Sequence, residues 1–332
     1  MSDLLLLGAG FSRNWGGWLA TEAFEHLLGS PEVVRDPDLR KLLWKHQEHE
    51  GFEAALAELQ VEFGRDPRSA ERPLMALQAA VSRMFADMNA AFMASPDWQF
   101  GQQYVERQIG TFLTRFDAIF TLNQDVLLEH HYANANIALI GKKRHAGAEL
   151  PGMRRIAEQE PIHADSWSRA TWSPMDEGSF KADAKFQPIY KLHGSSNWRR
   201  TDGAPLLIMG GAKVREIGQT PILNWYASEF ERRLSEQGTK LMVIGYGFRD
   251  DHINAAIAKA VEGGLKLFIV APEGAELARR INQTRRPGNI AAATREEATF
   301  KQSLIGASRR TLRETFGSDD AEFNKVMRFF NA

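Results

Sequence analysis

"LLLLGAGFS", residues 4–12, joins four consecutive leucines to a glycine–alanine–glycine step. A short continuous apolar run closed by glycine reads as a strand buried on both faces. An amphipathic stretch follows around Leu19–Leu28. Strand, glycine turn and helix is the opening unit of an open parallel sheet. Backbone N–H groups at such a turn can receive a phosphate, and the missing Cβ lets it come close. The dinucleotide pattern G-x-G-x-x-G is not completed, since its third glycine position is Arg13. No second strand ending in an acid follows about 20 residues on. A nucleotide ligand is expected here, and ordinary hydride transfer is not.

The same strand character recurs at "FDAIFTLNQD" (116–125), "FQPIYKLHG" (186–194), "KLMVIGYG" (240–247) and "LKLFIVAP" (265–272). "DDHINAAIAKAVEGG" (250–264) lies between the last two as a crossover helix, and "YASEFERRLSEQ" (226–237) precedes them as another. "APLLIMGG" (204–211) reads as a short strand. Strands apolar throughout and alternating with helices predict an α/β fold with a parallel sheet covered on both faces. Residues 31–110 have helical periodicity and few glycines, and form a predicted helical insertion. Residues 138–185, rich in Pro, Gly, Trp and Ser, form a predicted irregular insertion. The expected organisation is a catalytic domain over 1–294 with these two interruptions, then a helical tail over 295–332.

Lys plus Arg number 41 and Asp plus Glu 42, a net charge of −1, which argues against direct, indiscriminate nucleic-acid binding. There are no cysteines, so neither a disulfide nor a thiolate zinc site can form. No basic leader precedes Leu4, and no stretch approaches the roughly 20 apolar residues of a membrane span. A soluble, cytoplasmic protein with no membrane contact is expected.

In open parallel sheets, ligands bind beyond the carboxyl ends of the strands. Those ends are Gly8-Ala9-Gly10, Asn123-Gln124-Asp125, His193-Gly194-Ser195, Gly245-Tyr246-Gly247 and Ala271-Pro272. Four of the five carry glycine or chemistry-capable polar groups, and their convergence outweighs any one motif. Singly, each has a plainer reading. Asn123 and Asp125 are ordinary strand-stop residues. His193 is one of nine histidines. The tryptophans suit packing, although Trp198 is near enough in sequence to His193 to wall a pocket. Arg279, Arg280, Arg285 and Arg286 suit a solvated face. His130 and His131 are adjacent and should point apart, and no H-E-x-x-H pair exists, so no metal is expected. A histidine at a strand end facing a nucleotide fits a base with a pKa near neutrality.

Taken in order, "GAGFS", "TLNQD", "KLHGS" and "VIGYGFRDDHIN" resemble the sirtuin superfamily. More narrowly they resemble the sirtuin-like NAD hydrolases of bacterial antiphage defence. The resemblance implies a Rossmann-like NAD-binding fold. It matches Asn123 to the catalytic asparagine, Asp125 to the following aspartate and His193 to the catalytic histidine. It matches Gly8, Ala9, Gly10 and Ser12 to the phosphate turn, with Phe11 among the residues around NAD. Thr121, Gly245, Tyr246 and Gly247 would join them around NAD. Typical sirtuins carry a four-cysteine zinc module after the histidine–glycine strand, and this chain cannot, which weakens a deacylase reading. The implied reaction is cleavage of the nicotinamide–ribose bond of NAD, with NAD as substrate. NAD-dependent protein deacylation and a non-catalytic NAD-binding assembly subunit are the alternatives. The resemblance also implies a homo-oligomer that docks a HerA-type ATPase. The apolar positions of the tail, beside Arg309, Arg310 and Arg313, would contribute to that assembly.

Overall fold

The computed structural model describes residues 2–47, 51–135, 145–156, 166–210, 213–279 and 300–331. Its strands in chain order are β1 (Asp3–Leu7), β2 (Ala118–Thr121), β3 (Ala148–Glu149), β4 (Met153–Arg155), β5 (Trp172–Pro174), β6 (Gln187–Lys191), β7 (Gly194–Arg199), β8 (Pro205–Leu207), β9 (Lys240–Ile244), β10 (Lys266–Val270) and β11 (Leu304–Ser308). Seven form one sheet in the order β11-β10-β9-β1-β2-β6-β3. Every neighbouring pair in it is parallel. The four leucines of β1 are wholly buried, as are most side chains of β2, β9 and β10. This is the two-sided burial that their uninterrupted apolar sequences demand.

The register places the site. Leu7 pairs with Thr121 on one side and Ile244 on the other, and Thr121 pairs with Lys191. The carboxyl ends of β2, β1, β6 and β9 are therefore level. From β1 the sheet grows through β2 and β6 in one direction and through β9 and β10 in the other, so the chain reverses its winding there. That reversal opens the crevice in which ligands sit on such sheets.

The predicted helical insertion is present. Asp36 and Asp66 cap helices Pro37–Lys45 and Pro67–Ala94 by accepting from backbone N–H groups in the first turn, each with proline at the first helical position. Helix Pro67–Ala94 buries Leu74, Leu77, Val81, Met84, Met88 and Phe92 along one stripe. Its Asn89 reaches the sheet ends, donating to Ser196 Oγ at 2.9 Å and accepting from the Val126 N–H at 3.1 Å.

Two readings change. Leu304–Ser308, expected within a helical tail, is strand β11 at the edge of the main sheet. Its Gly306 lies under Phe268 of β10, and a Cβ there would come within 2.4 Å of that ring. Helical segments Leu312–Gly317, Asp320–Met327 and Arg328–Asn331 follow β11, and Leu312, Phe316, Val326 and Phe329 are buried. Phe112 packs on Phe316 and Phe330, and Phe116 packs on Phe329 and Phe330. Arg313 pairs with Asp97 at 2.7 Å. The tail thus completes the core of its own sheet.

The second change concerns the expected irregular insertion, whose described parts hold β3, β4, β5 and two helical turns. A second sheet runs β4-β5-β7-β8. Trp172 of β5 pairs with Trp198 of β7, and Trp198 is fully buried near Tyr226. Arg280, Arg285 and Arg286 lie outside the described residues. No helix among the described residues is long and apolar enough to cross a membrane.

Candidate active site

Three polar side chains meet where β1 and β2 end. Ser12 Oγ donates to Asp125 Oδ2 at 2.8 Å and accepts from Asn123 Nδ2 at 2.9 Å. The other carboxylate oxygen of Asp125 accepts from the Leu127 N–H at 3.0 Å, and the Asn123 N–H donates to Thr121 Oγ1 at 3.0 Å. All four residues are buried. Asp125 therefore fixes the Ser12 proton, and Ser12 fixes the Asn123 amide nitrogen. The amide oxygen of Asn123 is left as the acceptor for an incoming group.

The glycines of the first turn have a packing reason. A Cβ on Gly8 would meet Gly245 O at 2.7 Å, and one on Gly10 would meet Gly245 Cα at 2.8 Å. Gly245 has φ +65°, and a Cβ there would strike Phe11 N at 2.2 Å. The turns after β1 and β9 interlock through Gly8 N–H to Ile244 O and Gly10 N–H to Gly245 O, at 3.0 and 2.9 Å. Phe11 N–H donates to Gly8 O at 2.8 Å. Three N–H groups of the expected phosphate turn are thus engaged within the chain. The Phe11 ring is buried against Trp15 and Trp98. Tyr246 is buried too: its hydroxyl accepts from the Asp250 N–H at 3.0 Å and donates to Asn254 Oδ1 at 2.9 Å. It pins the start of helix Asp251–Glu262.

His193 leaves β6 one residue beyond Leu192 and is buried. Burial pushes its pKa from 6.5 down to about 3, opposed by Asp250 and reinforced by Lys213 and His252. The ring is neutral at physiological pH and free to accept a proton, but burial overturns the expected pKa near neutrality and leaves His193 a weaker base than the sequence suggested. Its Nε2 lies 3.3 Å from His252 Nε2. Burial also lowers the pKa of His252. Asp250 bonds Lys213 Nζ at 3.3 Å, and Lys213 reaches Glu53 at 2.5 Å. Burial works to raise the Asp250 carboxyl, but His193, Lys213 and His252 outweigh it and hold it below the usual range.

The sequence separates the histidines and predicts no ligand grouping. The fold corrects that spacing argument, because ligand atoms of His193, Asp250 and His252 all lie within 4.8 Å of one another. His130 and His131, expected to point apart, lie in a π-helical turn with their rings edge to face and centroids 4.6 Å apart.

Beneath these groups lies a buried ion pair. Lys191 Nζ donates to Glu129 at 2.6 Å and to the Asp125 carbonyl at 2.5 Å. Burial raises the Glu129 pKa, and Lys191 opposes the shift. Gln124 Nε2 donates to His193 O at 3.2 Å and to Ile208 O at 2.6 Å, stapling the end of β2 to the histidine turn. Sequence reasoning passed over Lys191, Gln124, Asp250, His252, Lys213 and Glu53. One signal was available: a lysine inside the otherwise apolar run of β6 demands a buried partner.

A family model described as a SIR2-like domain matches residues 117–291. The chain belongs to the SIR2-like family. The matched span holds Asn123, Asp125, His193, Gly245–Gly247, Asp250 and His252. Ser12 lies outside it and enters the site through the pairing of β1 with β2. Membership agrees with the Rossmann-like sheet and carries NAD as the ligand of this SIR2-like chain. No curated protein matches the chain.

Proposed function

We propose that this SIR2-like chain hydrolyses NAD to nicotinamide and ADP-ribose. The supporting observation is the Ser12–Asn123–Asp125 network at the strand ends, with the neutral imidazole of His193 one strand further along. In the reaction the C1′–nitrogen bond of the nicotinamide riboside breaks, and its electron pair returns to the ring nitrogen, cancelling the pyridinium charge. Water adds to C1′ and loses a proton. Asn123, locked through Nδ2, orients the water or a ribose hydroxyl with its amide oxygen. His193 accepts the proton, and Asp250 favours the imidazolium that results. Asp125 acts through Ser12 and is a positioning residue. General-base assistance of this kind is worth about 10²–10⁴-fold.

The absence of cysteine weighs against deacylation, since the position of the usual zinc module after the histidine strand is taken by β7 and β8. An antiphage role in the cytoplasm, a homo-oligomer and a HerA-type ATPase partner belong to the same proposal and rest on the resemblance in motif order. The division into a catalytic domain 1–294 and a tail 295–332 is proposed as a functional boundary. The burial of Phe316 and Phe329 makes the tail part of the fold.

The test is product analysis by chromatography after incubating the purified full chain with NAD, with and without an acyl-lysine peptide. Equimolar nicotinamide and ADP-ribose without peptide is the expected result. Strict dependence on peptide, with acyl-ADP-ribose formed, would replace this reading by the deacylase. Binding of NAD with no turnover in either arm would replace it by the assembly subunit.

A further inference from the structure

His193 and His252 are 59 residues apart in sequence, yet they present the same ring atom to each other at 3.3 Å. Their planes are tilted by 44° with centroids 5.4 Å apart, so the contact is nitrogen to nitrogen, with no stacking. Two imidazole nitrogens at that distance need something between their lone pairs, either a proton or a cation. Zinc bonds imidazole at about 2.0–2.1 Å with tetrahedral angles, which sets two such nitrogens about 3.4 Å apart.

The third group is Asp250. It occupies the N-cap position of helix Asp251–Glu262, where an aspartate ordinarily accepts from the first-turn N–H groups. Its side chain makes no capping bond. The Asp250 backbone N–H is satisfied instead by the Tyr246 hydroxyl, which accepts from it at 3.0 Å. The carboxylate is released from capping and lies within 4.8 Å of both imidazole nitrogens. Among the described residues Lys213 is the cation paired with it, and its shorter contact is to Glu53, 2.5 Å against 3.3 Å. Glu53, Asp250 and Lys213 together leave one negative charge beside two imidazoles. That combination attracts a divalent ion.

We propose that His193, His252 and Asp250 form a three-ligand site for a divalent transition metal of the zinc class, with the fourth position open. Two imidazoles and a carboxylate suit zinc and leave the harder, oxygen-seeking magnesium and calcium unfavoured. The ion takes the His193 Nε2 lone pair. On the NAD-hydrolase reading, an occupied site and proton transfer to that atom exclude each other, and zinc is an inhibitor. Binding itself does not depend on that reading.

The experiment measures metal directly on the tag-free full chain, without NAD. Protein stripped with chelator and dialysed against zinc chloride takes up one equivalent by elemental analysis. With cobalt(II) as probe it develops the visible absorption of four-coordinate cobalt. Zinc raises its melting temperature and magnesium does not. His252→Ala and His252→Gln lose the cobalt signal and at least tenfold in zinc affinity. His46→Ala, which removes a ring bonded to Glu58 elsewhere, leaves uptake unchanged. The two His252 variants guard against misfolding of either, checked by circular dichroism. The proposal is overturned if wild type takes up no zinc, or if a folded His252 variant binds it as tightly as wild type.

Discussion

On one side of the crevice Ser12, Asn123 and Asp125 meet through hydrogen bonds of 2.8 and 2.9 Å. On the other, His193, His252, Asp250, Lys213 and Glu53 gather five titratable groups, with contacts out to 3.3 Å. The first half hangs on backbone register. Each of its residues lies within five positions of the end of β1 or β2, and the pairing of those strands fixes their separation. The second half is assembled by side chains from a strand end and three distant helical segments. The contrast is between a scaffold that orients a substrate and a charge cluster that sets which protons and cations are held.

Lys191→Met sharpens the comparison most. It strips the counter-ion from Glu129 directly under Asp125 and is expected to cost about 3–5 kcal/mol, read by urea denaturation. The loss should shrink on acidification. An isolated buried Glu129 has its pKa raised, so it destabilises as pH rises and is tolerated once protonated. A variant as stable as wild type at neutral pH would show that the pair does not support the first half.

Ser12→Ala comes next. It leaves the Asn123 amide nitrogen and one Asp125 oxygen without their partner, at about 1–3 kcal/mol each. On the proposed mechanism turnover should fall while the melting curve stays cooperative. Unchanged turnover of NAD would show that Asn123 needs no lock.

The second half should dominate the acid response, measured with chelator present. Unfolded, the His193 ring takes a proton below about pH 6.5, whereas folded it resists until about pH 3. Between those values the unfolded chain binds more protons, so stability falls as pH falls. The slope from this group is about 1.4 kcal/mol per pH unit, and His193→Asn should remove it. An unchanged slope would put the acid sensitivity elsewhere. The smallest effect is expected from Glu53→Gln. Its pair with Lys213 is partly solvated, with the Glu53 side chain 31% exposed, and the cost should stay within about 1 kcal/mol.

The same contrast explains what the sequence made legible. Strands β1, β2, β6, β9 and β10 were readable because two-sided burial forces uninterrupted apolar runs. Asn123, Asp125 and His193 were readable because they stop such runs. β11 was missed because "LIGAS" is too short and too mixed to separate from helix. Its place depends on Gly306 admitting the Phe268 ring. The second sheet was missed because its strands are three to six residues long and drawn from separate stretches. Ser12 entered only through the resemblance, and its bond to Asp125 spans 113 positions. His252 looked like one polar residue on a crossover helix, and only the folded turn after β9 swings it to His193. The glycines were legible as a turn, but their reason was not: Gly8 and Gly10 make room for Gly245, a strand they meet only in three dimensions.

The most direct measurement is the rate of nicotinamide release from NAD, without peptide or metal, by wild type and by Asn123→Ala of equal stability and NAD affinity. Measurable turnover by wild type and a loss of about 10²-fold or more in the variant are expected, since the variant keeps the pocket but not the aligned acceptor. Equal rates from the two proteins would contradict the account.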